Sequence, residues 1–422
     1  MKKWISWLLV FTFVFASAGC ISAPAEQEDI RGEENADEES GVMETYSFDE
    51  DLFRYISSVT EGSFMISPLS FRYAIGLLLI GAEGETKAEL MAALGISSAE
   101  EWEALCVAFN RFMASYSEGA EQERADYEAY MLRGWLPPES KAPSRALRVA
   151  DSVWKRQDLP ARFSAGFCEK AEEIYGAEYF DFTADSAAAG INGWVNEKTE
   201  GLIPALVPAN YDASRLAVVL MNVLYFKDCW LDEFPVYLTA EGDFTKADGT
   251  LVRKEFMHNE EYYDYYEDAD TRLVIIPMKG GVKMAFLLGD TKGFARKIAS
   301  AERAKVQVTI PKMDLETSFV RGELTDYLKT RGVQKAFDPE EADFSAMLDY
   351  PVWVDDIIQK TRIRTDETGV EAAAVTAMLV CGAAMPLPVE PKVFIADRPF
   401  SFFIYTETDG VPCIMFAGSV RD

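Results

Sequence analysis

A chain of 422 residues that is 49% apolar and 13% aromatic can bury a large core, and this composition excludes a disordered protein. The formal charge of −29 excludes nucleic acid as a partner, because phosphate would be repelled instead of having its counterions displaced. A surface this acidic implies solubility.

The first residues have the layout of a secretory signal: Lys2 and Lys3, an apolar stretch from Trp4 to Phe15, then the small residues Ala16-Ser17-Ala18-Gly19-Cys20. That stretch is too short for a membrane span. Ala18-Gly19-Cys20 resembles a lipoprotein cleavage box, which would lipidate Cys20 and make it the mature N-terminus; Ser17 stands where a large aliphatic residue is usual. An ordinary cut after Ala18 is the alternative. Loss of residues 1–19 deletes two lysines and no acid, so the net charge of −29 becomes −31. Residues 20–45 then read as a disordered tether, since positions 21–45 hold nine acids and one arginine with almost nothing large and apolar.

Globular texture starts at Tyr46. "SFDEDLFRYISSV" puts Phe48, Leu52, Tyr55 and Ile56 on one helical face. In "ISPLSFRYAIGLLLIGAEGET", Ser67 is an N-cap, Pro68 fits the first turn, Phe71, Ala74, Ile75 and Leu78 follow at helical spacing, and Gly81 and Gly84 end the helix. "INGWVNEKTEGLIP" predicts an amphipathic helix with Ile191, Trp194, Val195 and Lys198 on one side and Gly201 as its stop. "LAVVLMNVLYF", apolar from Leu216 to Phe226 except at Asn222, predicts a strand buried on both faces. "RLVIIPMKGGVKMAFLLG" predicts a hairpin turning at Gly280-Gly281, and "KVQVTIPKM" and "VWVDDIIQKTRIRTDE" predict further strands.

Six cysteines stand at 20, 106, 168, 229, 381 and 413, without C-x-x-C spacing, so neither a disulfide framework nor a metal site is indicated. The only histidine, His258, sits in "EFMHNEEYYDYYEDAD", which reads as a solvated hairpin or loop and not as a cleft. Any Ser-His-Asp or Cys-His mechanism would need it. No Gly-rich phosphate loop, H-E-x-x-H or calcium-loop spacing occurs. The chain is expected to be no enzyme and to carry no cofactor.

"FMISPLSFRYAIGLLLIGAEGETKAEL", "INGWVNEKTEGLIPALV", "VVLMNVLYFKDCW", "VTIPKM…ADFSAM", "DETGVEAAAVTAM" and "RPFSFFIYTE" occur in the order and spacing of the serpins, which the chain resembles over residues 46–422. With the N-terminal signal, the type implied is the prokaryotic secreted or lipoprotein one, hence extracytoplasmic. The resemblance implies a single α+β serpin domain with three β-sheets, about nine helices and an exposed reactive-centre loop. An insertion at 131–146, "MLRGWLPPESKAPSRA", departs from the family.

The activity implied is irreversible, suicide-substrate inhibition of a serine protease by a monomer. The protease attacks the loop and forms a covalent acyl-enzyme, and the cut loop inserts into the main sheet before water releases the enzyme. The membrane enters only through the lipid anchor. As a strand, residues 370–380 place Val370, Ala372, Ala374, Thr376, Met378 and Val380 on one face and Glu371, Ala373, Val375, Ala377 and Leu379 on the other. The first face buries no charge, and no proline interrupts the segment. Gly369 supplies freedom at the hinge, which runs from Glu367 to Thr376. Sixteen residues beyond Glu367 the family pattern places the attacked bond at Ala383–Ala384, in the small, uncharged "VCGAAM". That suits elastase- or subtilisin-like pockets and gives a trypsin-like pocket nothing to pair with. Cys381 would be exposed in the same loop. Two other classes remain open: a cross-class inhibitor of papain-like cysteine proteases, and a non-inhibitory serpin.

By the same resemblance, Ser67, Ser70 and Asn222 form a polar cluster beneath the sheet, and Trp230 stands at the top where insertion starts. Gln359 occupies the place of the usual histidine partner. An amide donates and accepts but does not titrate, which removes that route to control of opening by pH.

Overall fold

The computed structural model describes residues 38–137, 140, 142–214, 216–355, 357–370, 390–408 and 411–422. The helices among them are α1 (Glu38–Val59), α2 (Pro68–Leu79), α3 (Gly84–Leu94), α4 (Ala99–Leu132), α5 (Ala165–Tyr175), α6 (Ala187–Lys198), α7 (Phe294–Ala299) and α8 (Glu323–Thr330). The first eight strands are β1 (Phe64–Ile66), β2 (Ala146–Arg156), β3 (Glu178–Phe182), β4 (Val218–Cys229), β5 (Ala240–Thr245), β6 (Leu251–Glu267), β7 (Thr271–Pro277) and β8 (Lys283–Gly289). The other seven are β9 (Glu302–Pro311), β10 (Met313–Phe319), β11 (Gln359–Thr365), β12 (Gly369–Val370), β13 (Lys392–Ile395), β14 (Phe400–Thr408) and β15 (Val411–Val420).

Local chemistry explains the boundaries. Ser67 caps α2, its hydroxyl accepting from the Ser70 amide, with Pro68 in the first turn. Phe48, Leu52 and Ile56 of α1 are fully buried. Gly84 opens α3 as well as following α2. Ile191, Trp194 and Val195 of α6 are buried, and Gly201, at φ 83°, follows its end. The β7–β8 hairpin turns at Gly280-Gly281, where Gly281 has φ 84°.

The strands form two ladders among the described residues. The six-stranded sheet has the order β10-β11-β12-β4-β2-β3; the nine-stranded one runs β1-β15-β14-β8-β7-β6-β9-β13, with β5 on β6. The second and third of the three expected sheets are therefore continuous here. The reason is β6, whose 17 residues reach β5, β9 and β7 in turn. The α+β architecture is the expected one. β4 is buried on both sides: Leu224 and Phe226 join the main core, while Met221 and Val223 pack with Ile191, Trp194 and Val195 beneath α6.

One expectation is narrowed and one corrected. Of the hairpin and the loop read for His258, the structure has the hairpin: it lies in β6, which pairs with β5 and β7, opposite Thr309 of β9, whose hydroxyl is 2.8 Å from its Nδ1. The strand read over 352–367 is β11 alone, because residues 352–358 have no partner strand and Val352, Val354 and Ile357 turn to the core instead. In the insertion, residues 131 and 132 extend α4, and Trp135 stacks on Tyr130 with ring centres 5.5 Å apart. Arg145, at its far end, returns to α4 through Glu123 at 2.8 Å.

Candidate functional site

Between β11 and β12 the chain reverses in three residues. The Asp366 carboxylate accepts from the Thr368 amide at 2.8 Å, the Thr368 hydroxyl at 2.6 Å and the Gly369 amide at 3.2 Å, a turn closed by its own side chain. Gly369 and Val370 then lie antiparallel between Thr365 of β11 and Asp228–Cys229 of β4. A Cβ on Gly369 would collide with the Asp228 carbonyl and the Cys229 Cα, so the close approach of the two backbones is what requires glycine. Val370 is 1% exposed, on the inner face.

Trp230 and Glu367 hold this turn from opposite sides. The Trp230 indole donates to the Asp366 carbonyl and its backbone amide to that of Thr368, both at 2.9 Å. It is therefore a clamp on the hinge as well as a buried core residue. Glu367 accepts from the Thr239 hydroxyl at 2.7 Å and pairs with Lys312 at 2.9 Å. Burial alone would raise the Glu367 pKa, but the hydrogen bonds from Thr239 and Lys312 outweigh it and hold the carboxyl below its usual value.

Below Val370 no backbone pairing joins β11 to β4 among the described residues. A cavity of about 670 Å³ opens between them, lined by Leu216–Asn222, Ile357–Gln359, Val352–Asp355, Ser70 and Ile191 among others. The polar cluster stands at this opening. The Ser67 amide donates to Gln359 Oε1 at 2.8 Å, Gln359 Nε2 returns to the Ser67 carbonyl at 3.1 Å, and the Ser67 hydroxyl donates to the Met415 carbonyl at 2.7 Å. The Ser70 hydroxyl donates to Asn222 Oδ1, and Asn222 Nδ2 donates to Asp151 Oδ1 at 2.9 Å. Ser67, Ser70, Asn222 and Gln359, predicted to stand together, are one network reaching from β11 to β4.

The site is thus a gap between β11 and β4 with the two-residue β12 at its head and the polar cluster at its opening. The serpin family model, described as serine protease inhibitor, covers residues 44–422. The chain belongs to the serpin family. Serpin-Z2A of Triticum aestivum is 30% identical over 86% of this chain and 90% of its own length, and the leukocyte elastase inhibitor of Equus caballus is 30% identical over 84% and 92%. Among solved structures, the native state of the thermophilic serpin tengpin superposes with a TM-score of 0.72 at 27% identity, covering 93% of this chain and 96% of that one.

Of the serpin hinge, Glu367, Gly369 and Val370 are placed; Glu371, Ala372, Ala373, Ala374, Val375 and Thr376 lie outside the described residues, as do Cys381, the Ala383–Ala384 bond and Cys20. Cys106, Cys168, Cys229 and Cys413 are free thiols. Sequence reasoning missed Lys312, Thr239 and Asp366, whose roles exist only through the fold. It also missed Asp151, although a lone acid in the strand "RVADSVW" is a legible signal.

Proposed function

We propose that this serpin is an irreversible suicide-substrate inhibitor of an elastase- or subtilisin-like serine protease. The observation that carries the reading is β12, seated at the head of an unpaired gap lined mostly by apolar and neutral polar residues, with Asp355 among them. Continued along its register, each step of Thr365↔Val370 and Asp228↔Val370 brings the next loop residue between β11 and β4. Thr376 would then face Gln359 on one side and Asn222 on the other. Even-numbered residues would point inward with Val370, and β11 agrees, since Gln359, Thr361, Ile363 and Thr365 are buried while the residues between them are not.

The chemistry needed from this chain is modest. A protease serine attacks the Ala383 carbonyl, the bond to Ala384 breaks, and the new amine leaves with the C-terminal piece. The remaining ester is an acyl-enzyme. Insertion of residues 371–380 then competes with hydrolysis of that ester. The small "VCGAAM" supports a shallow or apolar pocket in the target, and the likeness to a leukocyte elastase inhibitor supports the same class. With Ala18-Gly19-Cys20 ahead of the acidic tether, the reading is completed by an extracytoplasmic, lipid-anchored monomer.

Mixing the protein with elastase, subtilisin, trypsin and papain tests the proposal. Denaturant-resistant complexes are expected with the first two, far faster than with trypsin, and the released peptide should begin within two residues of Ala384. Complex with papain alone would move the target to cysteine proteases, and clean cleavage by all four without complex would make the protein non-inhibitory.

A further inference from the structure

At the inner end of the Ser67–Ser70–Asn222 chain, Asp151 is 1% exposed, and its Oδ2 has no hydrogen-bond partner. Its other oxygen accepts from Asn222, which stands directly opposite on β4. The groups facing it come from four further elements: Tyr73 of α2, Cys106 of α4, Tyr175 of α5 and Asn222 of β4. Burial pushes Tyr73, Cys106 and Tyr175 well above their ordinary values, so all three stay neutral. The cation of that core, Arg72, is paired with Asp49 at 2.9 Å. Asp151 thus has no counterion among the described residues, and its ionised form would be a charge buried against neutral groups.

We propose that Asp151 is a proton-dependent latch on the sheet: as the neutral acid it holds β2, β4 and the polar cluster together, and on ionisation it loosens β4 beside the gap that β11 borders. The proposal concerns the opening of the sheet and does not rest on any particular target. Gln359 cannot titrate, yet the same network contains a titratable group at its other end.

Burial raises the Asp151 carboxyl from 3.8 to about 7, the Asn222 hydrogen bond offsetting only part of this. Stability from the neutral acid is therefore fully present below the unfolded value and is lost as pH rises toward the folded one. The folding equilibrium should fall on the order of a hundred- to a thousandfold across that window. Asp228, farther along β4 and beside Arg145 and Tyr116, is also raised, to about 6, and Asp49 is raised within its pair with Arg72. Both contributions remain in a variant of Asp151 and cancel in a difference.

The test compares wild type with Asp151→Asn, which keeps the shape and cannot ionise. The difference in melting temperature, wild type minus variant, should fall as pH rises from about 4 to about 7 and be level above. Hydrogen exchange at about pH 8 should be faster in wild-type β2 and β4 than in the variant, equal in β14 and β15, and the two proteins should match below about pH 4. Should Asp151→Asn fail to fold, Asp151→Ser carries the same comparison. A melting difference that is level across the whole pH range, or an exchange difference shared equally by β14 and β15, overturns the latch.

Discussion

Replacing Thr376 by Arg tests the register. In the extended ladder this position would face Gln359 and Asn222 over the Ser70 cluster, and the Asp151 carboxyl lies one strand beyond Asn222. An arginine there would be buried without a counterion at hand, at an effective cost of several kcal/mol. About ten inserted residues gaining roughly 0.5–1.5 kcal/mol of backbone hydrogen bonding each are worth on the order of 10 kcal/mol, so insertion stays downhill overall. The rate is what suffers. If about 2 kcal/mol of the penalty falls in the barrier, insertion slows roughly thirtyfold, since about 1.4 kcal/mol is a factor of ten. The loop before cleavage tolerates arginine, so attack by the protease is unchanged. Incubation with elastase, followed by denaturing electrophoresis, should show cleaved serpin in place of covalent complex. The cleaved variant should gain less heat resistance than the cleaved wild type, and Glu371→Arg, on the outward face, should behave nearly as wild type. Covalent complex at wild-type stoichiometry from Thr376→Arg would refute the register.

Lys312→Ala leaves Glu367 a part-buried carboxylate with Thr239 as its remaining side-chain donor, and should lower the stability of the uncut protein by about 1–3 kcal/mol in denaturant melts at neutral pH. Because Glu367 is held below its usual value, the stability it adds is present above about pH 4.5 and lost as pH falls through its folded value; the variant should show a smaller acid-side loss. Gly369→Ala should unseat β12 through collision with the backbone at Asp228 and Cys229, costing about 1–3 kcal/mol locally, with faster hydrogen exchange at Val370 and Thr365 and little change elsewhere. Cys20→Ala should leave inhibition intact and shift the protein from the detergent phase to the aqueous phase in phase separation; equal partitioning would remove the lipid anchor.

What was legible in the sequence was whatever neighbours along the chain could specify. The Ser67 cap with Pro68, the Gly280-Gly281 turn and the double burial of β4 needed only local propensity and periodicity. The hinge and the cluster of Ser67, Ser70, Asn222 and Gln359 needed the family resemblance, because each contact joins segments far apart. Asp151 meets Asn222 across 71 residues and Thr239 meets Glu367 across 128, distances at which sequence pattern says nothing about pairing. Residues 352–358 misled for a related reason. Their apolar character is real, but it serves the cavity wall and not a ladder. His258 misled through its charged neighbours, Glu255, Glu260 and Glu261, which are exposed positions of a strand that also carries the buried Phe256 and Met257.

On the proposed mechanism the two residues of β12 would also act as a nucleus. Starting a strand between two others means fixing a turn and a first pair of contacts before any row of hydrogen bonds repays the lost freedom, and here Asp366, Trp230 and Gly369 have fixed both in advance. On the proposed mechanism, insertion would then be propagation, one residue at a time from a set starting point. The two ends of the loop therefore differ in their tolerance of length. Extra residues placed after about position 380 only enlarge a closing loop, whose entropy grows slowly with length. A single residue added between Glu371 and Ala372 would turn every later side chain to the opposite face, sending Ala373, Val375 and Ala377 inward and the Thr376 hydroxyl outward.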